Sequence, residues 1–432
     1  MSERRSSQEQ SRAWKARAAR RVPVMSQTFS KAPMCFPQGS YPAFLERGDG
    51  ARVWDVDGNE YVDFILALGP VVLGYRNPVV DDAVRRQLDS GMTFSLPHRL
   101  EVEVAELLAE VIPCAEMARF SKTGSEVTSA AVRVARAFTG REKIVYGSYH
   151  GWHDWYSVTT TRDVGIPRVN KELVAPFQYN DIASLHAALK ANDGQVAAVI
   201  LEPVTLDEPQ PGFLEEVVAV SHRAGALVIF DEIVSGFRIA LGGAQERYGV
   251  KPDLATFGKG MANGMPLAAI VGRSDVMRKF EDAFFSTTFG GETLSLAAAK
   301  AAIGEFRRLD VAGKLWSAGE TLKASFERAA AAAGVQAKAW GPGPHFVMVV
   351  KDGSGEQTPE VKSLFLQECV RRGVLFHFGA INMCASHGAD ELAVAERAMT
   401  EALRVVGSAI RENSVRERLD GEPYSEVFRR NL

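Results

Sequence analysis

The stretch ALVIFDEIVSGFR, residues 226–238, runs through five apolar residues in succession before it meets two carboxylates. A short apolar run without alternation is the pattern of a strand buried on both faces, and such strands belong to parallel sheets covered by helices. Asp231 ends the run. Open α/β sheets place their ligands at the carboxyl ends of their strands, so this aspartate faces a crevice. Most aspartates after strands are caps or turn residues, and Asp231 alone does not decide between the two readings.

A second stretch supplies the company it needs. In LATFGKGMANGMPLAAI, residues 254–270, another apolar strand ends just before Lys259, which stands between Gly258 and Gly260. A lysine in a partly desolvated site loses proton affinity and becomes a nucleophilic amine able to form a Schiff base with a carbonyl. The glycines let the backbone turn sharply and a flat ligand approach. The plain alternative is a solvated loop lysine. If the carbonyl is that of pyridoxal phosphate, Asp231 acquires a role, since it keeps the pyridine nitrogen protonated and so lets the ring accept electrons from a carbanion.

The phosphate of such a cofactor needs a cradle. In SKTGSEVTSAAVRVARA, residues 121–137, a strand ends near Ser121, and Thr123, Gly124 and Ser125 lead into an amphipathic helix. The first-turn N–H groups and the positive end of the helix dipole can hold an anion there. The same residues also read as an ordinary N-cap with a first-turn acid. The anion reading gains weight only beside Asp231 and Lys259.

The rest of the chain repeats the rhythm. EVEVAELLAEVI, MARFS, SEVTSAAVRVARAFTG, KIVYGS, VAAVILEP, FLEEVVAVSHRAG and ALVIFDEI alternate helical and strand patterns, which predicts parallel crossovers with helices on both faces of one sheet. Near the start, ARVWDVDGNEYVDFI alternates apolar and polar residues around Asp57-Gly58 and predicts a hairpin over 51–65. After LSLAAAKAAIGEFRRLD the pattern changes to a long Ala-rich helix, over about 310–334, followed by strands and helices of an α+β lobe. These shifts suggest an N-terminal arm over 1–25, an N-terminal part of a small domain over 26–74, a large domain over 75–308 and a C-terminal small domain over 309–432. No internal repeat is visible.

Composition narrows the function. The 432 residues carry a net charge of −3, a balance unsuited to nucleic acid or an acidic membrane surface, and a small molecule is the better partner. No apolar stretch reaches the ~20 residues of a membrane helix. The four cysteines form no CxxC pair, which fits a reducing cytoplasm and packing rather than disulfides or zinc. His150 and His153 in YHGWH have a spacing that could ligate a metal on a helix, but Gly151 and the aromatics favour a turn, and no metal is expected. The first 21 residues are basic and Ser-rich, yet Glu3, Glu9 and the lack of an apolar core argue against a targeting peptide and for a frayed or loosely docked helical arm.

Taken together, FDEIVSGFR, FGKGMANGMPLAAIVGR, TGSE with RVARAFTGREKIVYGSYHGWHD, LEPV and TTFGGET resemble the class III (subgroup II) pyridoxal-phosphate aminotransferases, and within them the glutamate-1-semialdehyde aminomutase branch. The likeness runs from roughly residue 40 to 410. It implies the fold type I architecture: a large α/β domain with a mostly parallel seven-stranded sheet, and a small α+β domain built from both chain ends. It implies pyridoxal 5'-phosphate as cofactor, carried as an internal aldimine on Lys259, with amino-group transfer from a small amino donor to an aldehyde or ketone acceptor through the pyridoxamine form. Asp231 would pair with the pyridine nitrogen, and Thr123, Gly124 and Ser125 would hold the phosphate. Tyr149 would stack on one ring face, Ile233 would pack on the other, and Glu202 would lie near the ring hydroxyl. TTFGG comes from the neighbouring subunit in this family, so Thr288, and with it Thr287, would complete the phosphate site across a homodimer with shared active sites.

Departures limit the transfer. The family's SGTE is here TGSE, preceded by Lys122 where asparagine is usual, a residue that could add charge near the substrate or point to solvent. The aminomutases hold the substrate carboxylate with an arginine in a segment like NSPVRAF; this chain has FPQGSYPAFLERG, with no arginine at that place. Ser40 and Tyr41 there suit hydroxyls or aromatic faces better than a carboxylate. An intermolecular aminotransferase is therefore expected rather than the aminomutase, with another PLP isomerase or epimerase, and a catalytically silent binding relative, as the remaining readings. The tail LDGEPYSEVFRRNL resembles that of aminomutase-like enzymes of surface-polysaccharide or secondary-metabolite pathways, which implies a hydroxylated, sugar-like acceptor.

Overall fold

The computed structural model describes residues 8–425; part of the tail just quoted, residues 426–432, lies outside them. In chain order the strands are β1 (Leu45–Asp49), β2 (Arg52–Asp55), β3 (Glu60–Asp63), β4 (Met117–Ser121), β5 (Lys143–Tyr146), β6 (Val174–Pro176) and β7 (Val196–Leu201). They continue with β8 (Leu227–Asp231), β9 (Leu254–Phe257), β10 (Ala268–Gly272), β11 (Ala337–Trp340), β12 (His345–Val350), β13 (Val374–Leu375) and β14 (Ala380–Asn382). The described residues divide into two compact units, one of residues 78–312 and one that joins residues 8–77 to 313–425.

The first unit is built on a seven-stranded sheet of order β4-β10-β9-β8-β7-β5-β6. Only β10 runs against its neighbours; the pairs β5/β6, β5/β7, β7/β8 and β8/β9 are parallel. This is the mostly parallel α/β sheet that the alternating pattern predicts. Every residue of β7, β8, β9 and β10 is buried, as continuous apolar runs require. Helix Gly124–Thr139 lays Val127, Ala130, Ala131 and Val134 on the sheet against Ala198, Ile200, Ile229 and Ile270. Each large aliphatic side chain so buried contributes about 1.5–3 kcal/mol. Small alanines on this face let helix and sheet approach closely, while Gly140, in a left-handed conformation (φ 68°), ends the helix.

The second unit contains two smaller sheets. One has the order β1-β2-β3-β13, and it joins the two ends of the chain where β13 pairs with β3 in parallel, Val374 opposite Val62. The expected hairpin is present as β2 and β3, with Val53 opposite Tyr61. The other sheet, β11-β12-β14, is antiparallel. The amphipathic helix Ala389–Arg411 and helix Pro359–Val370 pack on each other, the latter buried from Val361 to its end. No helix among the described residues is long and apolar enough to cross a membrane.

Of the frayed or loosely docked helical arm expected at the N-terminus, helix Glu9–Ala19 is the docked form. Both carboxylate oxygens of Asp57, in the turn between β2 and β3, accept its first-turn amides, Gln10 N at 2.7 Å and Ser11 N at 2.8 Å. Gln8 Nε2 donates to the Ser40 carbonyl and Lys15 Nζ to Gln38 Oε1. Asp57 thus does from a distant turn what an N-cap residue does locally. Asp57→Ala should cost this docking about 1 kcal/mol, the usual value of a cap. Limited trypsin digestion should then cleave at Arg12 to Arg21 about fivefold faster, with the rest of the chain as resistant as before.

Candidate active site

The candidate residues of the first unit gather at one edge of its sheet. Asp231 is the last residue of β8 and pairs in register with Thr256 of β9. Lys259 follows β9, Glu202 follows β7, Tyr149 and His150 follow β5, and Thr123 follows β4. All five strands point their carboxyl ends the same way, the place where open α/β sheets bind ligands.

Asp231 is buried, 4% exposed, and every oxygen is engaged. Oδ2 lies 2.8 Å from His150 Nδ1, while Oδ1 accepts from Ile233 N at 3.2 Å and from Thr256 Oγ1 at 3.3 Å. His150 is itself fixed: its carbonyl accepts from Thr128 Oγ1 at 3.0 Å, and its ring stacks on Trp155 with planes 13° apart. The buried His150 Nε2 has no partner among the described residues.

Lys259 has a left-handed backbone (φ 37°), a conformation a non-glycine residue holds only when its surroundings impose it. Its Nζ makes no hydrogen bond with the described residues. Burial lowers its proton affinity below that of an ordinary lysine; Asp231 and Glu202 act against this, and Arg238 adds to it. Ile233 is bracketed by glycines. A Cβ on Gly124 would come within 3.3 Å of its side chain, and one on Gly258 within 3.0 Å, so larger residues at either place would push it from its position.

Thr123 caps helix Gly124–Thr139 in a capping box: its hydroxyl accepts from Glu126 N at 3.4 Å, and Thr123 N donates to Glu126 Oε2 at 2.8 Å. The Gly124 and Ser125 amides are engaged by no hydrogen bond among the described residues. Ser125 Oγ accepts from Trp152 N at 3.2 Å, and a Cβ on Gly151 would stand 2.3 Å from that oxygen. Tyr149 is 40% exposed and meets Tyr156 edge-on. Glu202 N donates to Ser148 Oγ at 2.7 Å. Thr288 lies in an exposed loop with Phe284 and Phe289, while Thr287 Oγ1 donates to the Phe120 carbonyl at 3.4 Å.

Several details were not read from the sequence. His150 enters there only as a metal candidate, whereas here it holds Asp231; His153 turns elsewhere, to Ser129 Oγ at 2.7 Å. Among the described residues no group of three or more His, Cys, Asp or Glu is placed to hold a metal. Lys122 neither points to solvent nor stands unpaired: Nζ is 2.9 Å from Glu292 Oε2. In the second unit, Tyr41 spends its hydroxyl on the Phe376 carbonyl at 2.8 Å, which corrects the expectation that it recognises hydroxyls. Thr256 and Ser148 carry no motif. Neither does His150, which stands in the loop after β5 rather than at the strand end.

The set suits pyridoxal phosphate. It offers an amine whose proton affinity burial lowers, a buried carboxylate with a fixed orientation for a pyridinium, two unengaged helix amides for a phosphate, and an unpartnered buried nitrogen beside the carboxylate.

Comparison with known proteins agrees. The family model for class III aminotransferases matches residues 36–387. The 3-aminobutyryl-CoA aminotransferase of Cloacimonas acidaminovorans is 39% identical over 388 residues, 87% of this chain and 92% of that protein. The glutamate-1-semialdehyde 2,1-aminomutase of Archaeoglobus fulgidus is 44% identical over 283 residues, 61% of this chain and 67% of that protein. Among solved structures, the PLP internal aldimine form of the FumI protein of Sphingopyxis sp. MTA144 superposes with a TM-score of 0.88 at 28% identity, over 96% of this chain and 98% of that one. The chain belongs to the class III aminotransferases, fold type I enzymes that use pyridoxal phosphate to move an amino group between a small amino donor and a carbonyl acceptor.

Proposed function

We propose that this enzyme transfers an amino group between two separate substrates, with Lys259 as its acid–base centre. The observation that carries this reading is the pairing of a desolvated Lys259 amine with the oriented, buried carboxylate of Asp231 at one sheet edge. The bound cofactor supplies an electron sink for the carbanion formed at the substrate carbon. Lys259 Nζ would hold the cofactor and carry the proton to and from that carbon, a task that a lowered proton affinity favours. Asp231 holds a proton on the pyridine nitrogen; His150 keeps the carboxylate turned toward it. Gly124, Ser125 and Thr123 bind the phosphate, Tyr149 and Ile233 take the two ring faces, and Glu202 stands at the ring hydroxyl.

Thr288, with Thr287, reaches the phosphate of a second subunit. The exposed Phe284, Phe289, Phe94 and Leu96 of the same unit support a homodimer, because a monomer rarely leaves so many large apolar side chains in water. Four buried free cysteines are compatible with the cytoplasm as its place of work. The missing arginine of FPQGSYPAFLERG favours an external amino donor over internal isomerisation, and the relatives favour amines remote from an α-carboxylate. A hydroxylated, sugar-like acceptor rests on the tail alone.

Hydride reduction of the loaded enzyme followed by peptide mapping should place the pyridoxyl group on Lys259; a label on another lysine refutes the assignment. In the apoenzyme, acylation of Lys259 should titrate below the ~10.5 of an ordinary lysine. Asp231→Asn should move that titration further down, since it removes the charge that raises it. Incubation with glutamate-1-semialdehyde and no added donor should give little 5-aminolevulinate, whereas a screen of donor amines should find one that bleaches the cofactor absorbance. Rapid isomerisation without a donor would favour the aminomutase reading instead. Sedimentation should find a dimer, and Thr288→Ala should weaken cofactor retention about tenfold, equivalent to ~1.4 kcal/mol; a fully active monomer overturns the shared site.

A further inference from the structure

The unit built from both chain ends encloses a cavity of about 330 Å³ that the reading above does not use. Its floor is unusual. Leu66, Ala67 and Leu68 follow one another with φ of 49°, 55° and 74°, and Gly69 ends the run at 101°. Left-handed non-glycine residues cost about 1–3 kcal/mol each and persist only where neighbours fix them.

Asp63 does the fixing. It is 1% exposed, its Oδ1 accepts from Ile65 N at 2.7 Å, and its Oδ2 accepts from Tyr75 Oη at 2.8 Å. The donors around Asp63 are part of the floor, so its carboxylate is occupied and is not a seat for a cationic ligand. The walls are ring faces and prolines: Phe36 and Tyr41 stack with centroids 5.1 Å apart, and Phe44, Pro33 and Pro42 continue them. Tyr41 offers its face, since its hydroxyl is spent on Phe376.

One cation stands at the rim. Lys31 closes the short turn Phe29–Lys31, is exposed on its outer side, and forms no ion pair or side-chain hydrogen bond with the described residues. The cavity side desolvates its ammonium and lowers its proton affinity, and Asp63 opposes this. A pocket walled mostly by apolar side chains, whose one carboxylate is already engaged by Ile65 N and Tyr75 Oη and whose rim carries one unpaired cation, selects an amphiphile of the opposite sign to that cation. A lone lysine is a point charge, suited to one carboxylate more than to a doubly charged phosphate, which Asp63 would also repel.

We propose that this cavity binds a small organic monoanion, an apolar or aromatic body lying against Phe44 and the stacked pair of Phe36 and Tyr41, with its carboxylate on Lys31 Nζ. The inference leaves standing the expectation that FPQGSYPAF suits hydroxyls or aromatic faces better than a carboxylate, because the cation comes from SKAPM and not from the segment where an arginine was sought. It does not rest on the direction of the amino transfer.

Calorimetry on the holoenzyme with 3-phenylpropanoate and its neutral amide tests it. The carboxylate should bind saturably and more tightly than the amide. Lys31→Met should weaken the carboxylate about tenfold, ~1.4 kcal/mol, and leave the amide unchanged, while Lys31→Arg keeps most of the affinity. Steady-state kinetics separate the two sources of such an anion, and either pattern supports the site: competition with the oxo acceptor marks a substrate, non-competitive behaviour an effector. The proposal is overturned if the wild-type enzyme shows no saturable binding up to ~10 mM, or if Lys31→Met binds the carboxylate as tightly as the wild type.

Discussion

A buried carboxylate with a fixed direction organises the sheet edge. Removing the Asp231 carboxylate from water costs several kcal/mol unless it is paired and hydrogen-bonded. Its partners come from three places: Thr256 on the adjacent strand, the amide of Ile233 two residues on, and His150 from the loop after β5. Each demands something of the sequence. Thr256 must stand opposite Asp231, which fixes the register of β8 and β9. His150 must be turned inward, which Thr128 and Trp155 secure from two helices, Gly124–Thr139 and the short Asp154–Ser157. Lys259, one turn beyond Thr256, then has a counter-charge without a hydrogen bond to it, and its amine stays reactive.

The neighbouring Glu232 shows how the same burial serves structure alone. It is wholly buried, and burial raises its pKa, but Ser235, Ala244 N and Gln245 N all donate to it. Those donors tie the segment after β8 to the start of helix Ala244–Tyr248. Two adjacent acids thus divide the work: Glu232 spends its lone pairs on Ser235 and the start of helix Ala244–Tyr248, whereas Asp231 shares its own with the adjacent strand, the amide of Ile233 and the loop after β5. Their difference lies in the alternation of strand side chains, which sends successive residues to opposite faces.

That alternation also explains what the sequence made legible. Continuous apolar runs such as VAAVIL and LVIF can only be strands buried on both faces, and the residue that ends each run is therefore at the ligand-binding edge. Asp231, Lys259 and Thr123 could be found by that rule because they follow their strands directly. His150 could not, since its role depends on how the loop after β5 folds back, and neither periodicity nor turn chemistry reports that. Lys122 and Glu292 are separated by most of the first unit, so their ion pair is a property of the packed sheet. Asp57 was legible as the Asp-Gly of a hairpin but not as the cap of a helix some forty residues earlier, for capping by a distant turn leaves no local pattern.

The start of helix Gly124–Thr139 shows why two readings of one motif need not compete. A capping box and an anion site both need the first-turn amides, and the acid of the box would repel a phosphate if it stayed in the way. Here Glu126 is drawn backwards: Ser121 Oγ, Lys122 N and Thr123 N all donate to its Oε2, and those bonds keep its pKa below the ordinary carboxylate value. Its charge is thereby spent on the strand end, and the amides of Gly124 and Ser125 remain available. Gly124 carries no side chain over that position, where even a Cβ would crowd Ile233. The cap thus prepares the cradle, because the hydrogen bonds that satisfy the helix N-terminus also turn its only acid away from the incoming anion.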